Sequence, residues 1–162
     1  MANYTCRHAT QEDLQRLWAD NIAANPDDPR WVRWQAEYLR YNAAGMARTY
    51  AVLCDGYPVG EGTLLFSPDC SAIAGRTCLA DGHTTANINA LRIRKAHEGQ
   101  GHISAMVRLM IADARRMGYT RLTIGVEASN ARNCAIYRHW GFTVPVLRSL
   151  EDGENVEYLA NS

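Results

Sequence analysis

Residues 98–104 have the sequence Glu98-Gly99-Gln100-Gly101-His102-Ile103-Ser104 and join a predicted strand to a predicted helix. The segment before them, Ala86–Arg94, alternates residues with the two-residue period of a strand. After them, apolar residues recur at the spacing of one helix face as far as Met117. This order predicts one parallel strand–helix–strand unit, completed by a strand over Arg121–Val126.

Further elements are predicted on both sides of this unit. Before it we expect a strand, then two helices, and then two strands joined by the hairpin turn Asp55-Gly56. The helices are predicted to begin after Thr10, with a capping box to Asp13, and after Asp28. Residues 67–84 are predicted to form an irregular connection. The first strand is predicted over Tyr4–His8. After the unit we expect a helix over Asn130–Trp140 and final strands over Phe142–Leu147 and Val156–Leu159. The order favours an α/β (α+β) fold with a mixed sheet.

The glycine turn predicts a phosphate site. The first N–H groups of a helix have no partners inside the helix, and the helix dipole favours a negative charge there. Glycines allow a phosphate to approach the backbone closely. A turn that merely contains glycine is the structural alternative. A P-loop is excluded because His102 stands where Lys is required, and a dinucleotide fingerprint because Ser104 replaces its third glycine.

Charge also accumulates around this turn. Between Arg92 and Arg121 there are seven basic residues and two acidic ones, within a chain whose formal net charge is zero. Such a region attracts a polyphosphate ligand, although a solvated helix face would have a similar composition.

A second motif follows the last strand of the unit, in the sequence Asn130-Ala131-Arg132-Asn133-Cys134-Ala135-Ile136-Tyr137. Asn130, Asn133 and Tyr137 are spaced by three and four residues, so they share a helix face. Two amides and a phenol can bind a ligand and deliver a proton. The alternative is a helix cap at Asn130 and a core tyrosine.

Together these features resemble the GNAT superfamily of N-acetyltransferases. The resemblance rests on the strand ending at Ile93, the Gly99-Gln100-Gly101 turn with its helix, and Asn130…Tyr137…Gly141-Phe142. It implies an acyl-CoA N-acyltransferase fold, with a splayed central sheet of about six to seven strands and about four flanking helices. We expect residues 1–162 to form a single domain with an acyl-CoA-binding core at about 86–142.

The resemblance implies roles for particular residues. Tyr137 would be the general acid that protonates the departing thiolate. The cofactor, acetyl-CoA, would be bound by the strand, by the turn and by the two asparagines of the second motif. These cofactor-binding residues are Leu91, Arg92, Ile93, Gly99, Gln100, Gly101, His102, Ile103, Ser104, Asn130 and Asn133. An amine would attack the thioester directly, in a ternary complex, with no covalent enzyme intermediate.

The chain departs from the family pattern at several positions. Glu98 stands where the family usually has Arg or Gln, and Ile103 where it prefers Gly or Ala. The family often places a Glu that acts as the general base on the strand before the turn, where this chain has Asn87 and Asn89. Glu127 is the substitute that we predict as a general base, although a solvated charge at a strand end is the alternative.

The acceptor amine is expected at the second helix. Trp31, Trp34, Tyr38 and Tyr41 form one aromatic stripe there, and aromatic faces attract cationic amines. The alternative is that the stripe packs the helix on the sheet. Trp31, Trp34, Glu61 and His83 are the predicted substrate-binding residues.

Composition narrows the class of protein. The 162 residues include no apolar run long enough to cross a membrane, and the N-terminus lacks the pattern of a signal peptide. The five cysteines lack metal-binding spacing, so we predict no metal site and a reducing, cytoplasmic location. The balanced charge argues against a nucleic-acid partner, and neither a monomer nor a homodimer is excluded.

The sequence therefore predicts an acetyl-CoA-dependent N-acetyltransferase that acts on a primary amine of a small molecule. A non-catalytic acyl-CoA-binding or sensor protein is the first alternative. A protein-directed N-acetyltransferase is the second. A protein whose glycine turn binds another phosphate ligand is the third.

Overall fold

The computed structural model describes residues 1–161. Within them lie seven strands and four α-helices, as predicted in number. The strands are β1 (Tyr4–His8), β2 (Ala47–Cys54), β3 (Tyr57–Leu65), β4 (Thr85–Ile93), β5 (Arg121–Glu127), β6 (Phe142–Glu151) and β7 (Glu154–Asn161). The helices are α1 (Gln11–Ala24), α2 (Arg30–Ala44), α3 (His102–Arg116) and α4 (Ala131–His139). A short 3-10 turn, Lys95–His97, precedes α3.

The strands form one mixed sheet in the order β1-β2-β3-β4-β5-β7-β6. β4 and β5 are parallel, which confirms the predicted strand–helix–strand unit. β1 pairs with β2, and β7 with both β5 and β6, in antiparallel ladders. The predicted mixed sheet is therefore confirmed.

The first of two compact units comprises residues 1–64 and 90–113. Leu14 and Leu17 of α1 pack on Ala51 and Leu53, on one face of β2. The opposite face of the sheet receives α3. A Cβ atom at Gly62 would lie 2.9 Å from Cε of Met106 in that helix, so the glycine makes room for this side chain.

The second unit comprises residues 65–89 and 114–162, of which the structure describes those up to 161. Its connection through residues 66–84 is irregular, as predicted, and packs on β5, where the hydroxyl of Thr123 donates to the carbonyl of Leu79 at 2.8 Å. Arg76 also binds Glu151 at the end of β6. Helix α4 packs on β5 and β6.

Local sequence signals account for most element ends. The capping box between Thr10 and Asp13 is present at the start of α1. Asp55 and Gly56 both have positive φ, 50° and 84°, so the hairpin turn is confirmed.

Two boundaries differ from the prediction. Helix α2 is assigned from Arg30, one residue later than predicted, although Pro29 already has helical φ and ψ and the Asp28 carboxylate accepts the backbone N–H of Arg30 as a cap does. The final strands are longer than predicted, because the tight turn at Asp152-Gly153 lets pairing continue up to that turn. None of the described helices is both long and apolar enough to cross a membrane.

Candidate active site

The turn between β4 and α3 presents a row of backbone donors. Gly99 and Gly101 have φ values of 73° and 82°, which side-chain-bearing residues rarely adopt. Within residues 1–161, none of the backbone N–H groups of residues 99–104 donates a hydrogen bond. A Cβ atom added at either glycine would meet nothing within 4 Å, so the turn is open on that side. Such a row of amides at a helix N-terminus fits a diphosphate.

The side chains beside the turn do not obstruct an anion. Glu98 is exposed, and its carboxylate forms no ion pair in the part of the chain that the structure describes. Tyr4 of β1 holds two histidines of this segment. Its hydroxyl lies 2.7 Å from Nδ1 of His97, and its ring stacks on that of His102 at 3.9 Å between centroids. Sequence reasoning missed Tyr4, because its partners lie more than 90 residues away.

Strand β4 bends just before the predicted cofactor-facing residues. Its ladder with β5 ends at Ile88 and Ile124, although β4 itself continues to Ile93. Ala90 follows with a φ of 57°, a strained conformation for a residue that is not glycine. Leu91, Arg92 and Ile93 come after this bend, and all three are only partly buried. The backbone is thus distorted where the acyl group was predicted to lie.

Glu61, a predicted substrate-binding residue, lies on β3 beneath the α1–α2 layer. Its side chain is only 2% exposed. One carboxylate oxygen accepts from Nδ2 of Asn21 at 2.7 Å, and the other from Nη2 of Arg92 at 3.4 Å. Both oxygens are therefore engaged within the first unit.

The aromatic stripe of α2 divides into two parts. Tyr38 and Tyr41 are buried and belong to the core, as the packing alternative anticipated. Trp31 and Trp34 are only partly buried, and their rings meet edge to face at 5.1 Å. The two tryptophans therefore combine packing with accessible aromatic surface.

The second unit holds the second motif on α4 and the end of β5. Asn130 caps α4, and its side chain accepts the N–H of Asn133 at 3.0 Å. Tyr137 stacks on Trp140 at 5.3 Å, and its hydroxyl has no hydrogen-bond partner among residues 1–161. Burial raises the pKa of Tyr137 above 10.0, and the nearby Cys134 adds to this effect. The phenol is therefore protonated at neutral pH and free to donate.

The two remaining predicted residues of this unit are exposed. Glu127 ends β5, where its backbone carbonyl accepts the N–H of Asn130. His83 lies in a turn held by Asp81, whose carboxylate accepts the backbone N–H of His83 at 2.8 Å. Of the predicted site residues, the first unit thus contains the turn, the end of β4, Glu61 and the two tryptophans. The second unit contains the others.

The arrangement offers two kinds of chemistry. The turn in the first unit provides amides for a diphosphate, and the nearby strand is distorted at Ala90. The phenol of the second unit can give up a proton to a leaving group. Within the described residues, no cluster of three or more His, Cys, Asp or Glu side chains could hold a metal ion.

Comparison with known families gives one match. The sequence model of the acetyltransferase (GNAT) family matches residues 10–142, which include β4, the turn, α3 and the second motif. No curated protein matches the sequence.

Solved structures of acetyltransferases resemble this fold at low sequence identity. An N-acetyltransferase from Staphylococcus aureus Mu50 is 16% identical with a TM-score of 0.71, over 98% of this chain and 97% of that one. A ribosomal-protein-alanine N-acetyltransferase from Brucella melitensis is 17% identical with a TM-score of 0.69, over 97% and 98%. A GNAT family acetyltransferase from Elizabethkingia anophelis, solved with acetyl-CoA bound, is 16% identical with a TM-score of 0.63, over 99% and 98%.

Proposed function

The chain belongs to the GNAT family of acetyltransferases, and we propose that within this family it acetylates a primary amine of a small molecule. Acetyl-CoA is the cosubstrate, and it supplies the acetyl group as a thioester whose thiol departs. The observation that supports cosubstrate binding in this proposal is the row of six backbone N–H groups, Gly99 to Ser104, that donate no hydrogen bond within the described chain.

The turn and the strand bind and orient the cosubstrate in this proposal. The free amides of residues 99–104 hold the diphosphate, since they converge at a helix N-terminus that is open to solvent. Leu91, Arg92 and Ile93 offer backbone groups to the pantetheine and the thioester. Asn130 and Asn133 complete the proposed set of cofactor-binding residues. Asn130 is the N-cap of α4.

Tyr137 acts as the general acid in this proposal. The amine nitrogen forms a bond to the thioester carbonyl carbon, the carbon–sulfur bond breaks, and the sulfur takes the phenolic proton. The raised pKa keeps that proton in place at neutral pH, and the free hydroxyl has no competing partner within the described chain. The amine loses a proton to Glu127 or to water. The exposed position of Glu127 at the end of β5 leaves it accessible to solvent for that role.

The acceptor occupies the face of the first unit that carries Trp31, Trp34 and Glu61. The partly exposed indole rings give the acceptor an apolar wall. Glu61 acts on the acceptor indirectly, through its hydrogen-bonded partners Asn21 and Arg92. We propose His83 as a further contact of the acceptor, because its side chain is exposed.

The proposal extends to location and organisation. The cysteines at positions 6, 54, 70, 78 and 134 are all free, which supports a reducing, cytoplasmic location. We propose that residues 1–162 act as one domain, as a monomer or a homodimer, without a nucleic-acid partner.

Thiol release tests the proposed function. The protein is incubated with acetyl-CoA and a panel of primary amines, and free thiol is followed with a thiol-reactive chromophore. We expect release above the rate of hydrolysis for at least one amine, with a mass increase of that amine by one acetyl group. Binding of acetyl-CoA without release for any amine would contradict the transferase and favour the sensor alternative.

A further inference from the structure

Arg92 projects its side chain from β4 into the α1–α2 layer of the first unit. Its guanidinium carbon lies 4.9 Å from the ring centroid of Trp31 and 5.5 Å from that of Trp18. Both distances are within the range in which an aromatic face attracts a cation. The two indoles therefore fix the position of the guanidinium.

Glu61 accepts a hydrogen bond from the same guanidinium and is itself held by Asn21. Asn21 engages one oxygen of Glu61 at 2.7 Å, which leaves the other oxygen for Nη2 of Arg92 at 3.4 Å. The Glu61 side chain is only 2% exposed, and a buried carboxylate is costly to the fold unless it is paired and hydrogen-bonded. Glu61 is therefore a positioning residue for Arg92.

The guanidinium has far more donors than partners. It carries five N–H groups, and its one hydrogen bond within residues 1–161 is the long contact to Glu61. Its Nε atom is buried without any hydrogen-bond partner. Buried donors are nearly always satisfied in folded proteins, so this unpaired donor sets Arg92 apart from the other buried polar side chains of residues 1–161. The side chain as a whole is 31% exposed, so part of it is reachable from solvent.

We propose that Arg92 binds a carboxylate of the acceptor, so that the substrate is an amine that also bears a carboxylate, as an amino acid does. The inference rests on the proposed function and names its substrate class. A planar guanidinium with free donors matches a carboxylate in bidentate geometry. The partly exposed rings of Trp31 and Trp34 fit an apolar side chain on the same molecule.

The surrounding charges disfavour a polyamine as the acceptor. The carboxylate next to the guanidinium, that of Glu61, is already engaged by Arg92 and Asn21, and those of Asp20 and Asp28 are paired with Arg94 and Arg30. The guanidinium would also repel a polycation.

Matched pairs of acceptors test this inference. For amino acids and their carboxamides, kcat/KM is measured by thiol release, and the acid-to-amide ratio is compared. We expect a ratio of about tenfold or more for at least one amino acid with an apolar side chain, because the amide cannot form the ion pair. Arg92→Gln lowers this ratio to near one. Arg33→Gln, at an exposed arginine of α2, is the matched control and leaves the ratio unchanged.

A second variant guards against misfolding. Arg92→Gln leaves Glu61 buried without its cation, whereas Arg92→Lys keeps a positive charge there but lacks the planar fork. We expect Arg92→Lys to lower the acid-to-amide ratio about threefold or more, with a melting temperature close to that of the wild type. A ratio that both Arg92 variants leave unchanged overturns the inference, and so does a ratio near one in the wild type.

The failure of the inference can be told apart from that of the proposed function. Thiol release without any carboxylate preference contradicts the inference alone. If no amine gives thiol release, the proposed function fails, and calorimetry with protein saturated with coenzyme A decides the inference. L-phenylalanine or L-leucine should then bind in preference to its amide, and this preference should vanish in Arg92→Gln and fall about threefold or more in Arg92→Lys. Equal binding of acid and amide, or no binding, overturns the inference.

Discussion

Tyr137 and Arg92 are polar side chains with unused hydrogen-bonding capacity, and both lie in sequence stretches that we predicted to be functional. The hydroxyl of Tyr137 has no partner within residues 1–161, and Nε of Arg92 has none either. Folded proteins rarely leave such groups unsatisfied when buried. Of the two, only Nε of Arg92 is a fully buried atom. We propose the departing thiolate as the partner of Tyr137 and an acceptor carboxylate as the partner of Arg92.

Removal of the Tyr137 hydroxyl should affect turnover and not cofactor binding. In Tyr137→Phe we expect kcat to fall roughly 100-fold, because a general acid contributes about that much or more. The dissociation constant of acetyl-CoA should stay close to the wild-type value, as measured by calorimetry. The matched control is Tyr57→Phe, which removes an exposed hydroxyl bonded to Asp20 and should leave kcat unchanged. Equal turnover in Tyr137→Phe and wild type would remove Tyr137 from the acid role.

The sequence predicts the contacts of a residue when its partners are only a few positions away along the chain. The Asn130 cap depends on Asn133, three residues away, and could be inferred from spacing. The cluster around Glu61 could not, because Asn21 lies 40 residues from it and Arg92 lies 31 residues from it. Trp18 and Asn21 share a face of α1 by their spacing, but spacing alone does not reveal which strand they meet.

The β4–α3 turn is the element on which we propose that cofactor binding depends. Its free amides require the backbone conformation that Gly99 and Gly101 provide, with φ of 73° and 82°. The elements on either side of the turn follow from local patterns of alternation and helical periodicity, so the sequence predicts them well. The position of β7 between β5 and β6 is different, because it depends on pairing between strands that are distant in the sequence. The distortion at Ala90 is likewise invisible in the sequence, since alanine ordinarily avoids positive φ.

A side chain at Gly101 should weaken cofactor binding. Val at a φ of 82° is strained, so in Gly101→Val the turn shifts and its amides lose their alignment. We expect the dissociation constant of acetyl-CoA to rise about tenfold, equivalent to about 1.4 kcal/mol.

The matched control for this variant is Gly153→Val. Gly153 has a φ of 80° and lies in the open β6–β7 turn, so the backbone strain is comparable. Its acetyl-CoA affinity should match the wild type. Unaltered affinity in a folded Gly101→Val protein would mean that this turn does not hold the ligand.

Across the whole molecule the acidic and basic residues are equal in number, but individual carboxylates are held by strong local hydrogen bonds and ion pairs. Three aspartates illustrate it. Burial alone would raise the pKa of Asp13, but hydrogen bonds from Arg7 and Thr10 lower it overall. The hydrogen bond from Arg30 lowers the pKa of Asp28 to about 2. For Asp81, burial is outweighed by backbone N–H groups of Thr85, His83 and Thr84, which lower its pKa strongly.

These lowered pKa values predict a loss of stability in acid. Each carboxyl has a lower pKa in the folded state than the ordinary 3.8, so the unfolded state binds protons first as the pH falls. Their stabilisation is present above about pH 4 and is lost progressively below it. We expect the melting temperature to fall from about pH 5 to about pH 3, and to fall less in Asp81→Asn, whose side chain does not titrate. A melting temperature that is constant over this range would contradict the prediction.

We propose that this chain binds acetyl-CoA through the β4–α3 turn, and calorimetric titration of the purified protein tests this binding. Acetyl-CoA is titrated into the wild type, with NAD and ATP as controls. We expect saturable one-to-one binding of acetyl-CoA and no binding of NAD or ATP. No saturable binding of acetyl-CoA would contradict the account, and it would mean that Glu98 and Ile103 have disabled the turn as a cofactor site.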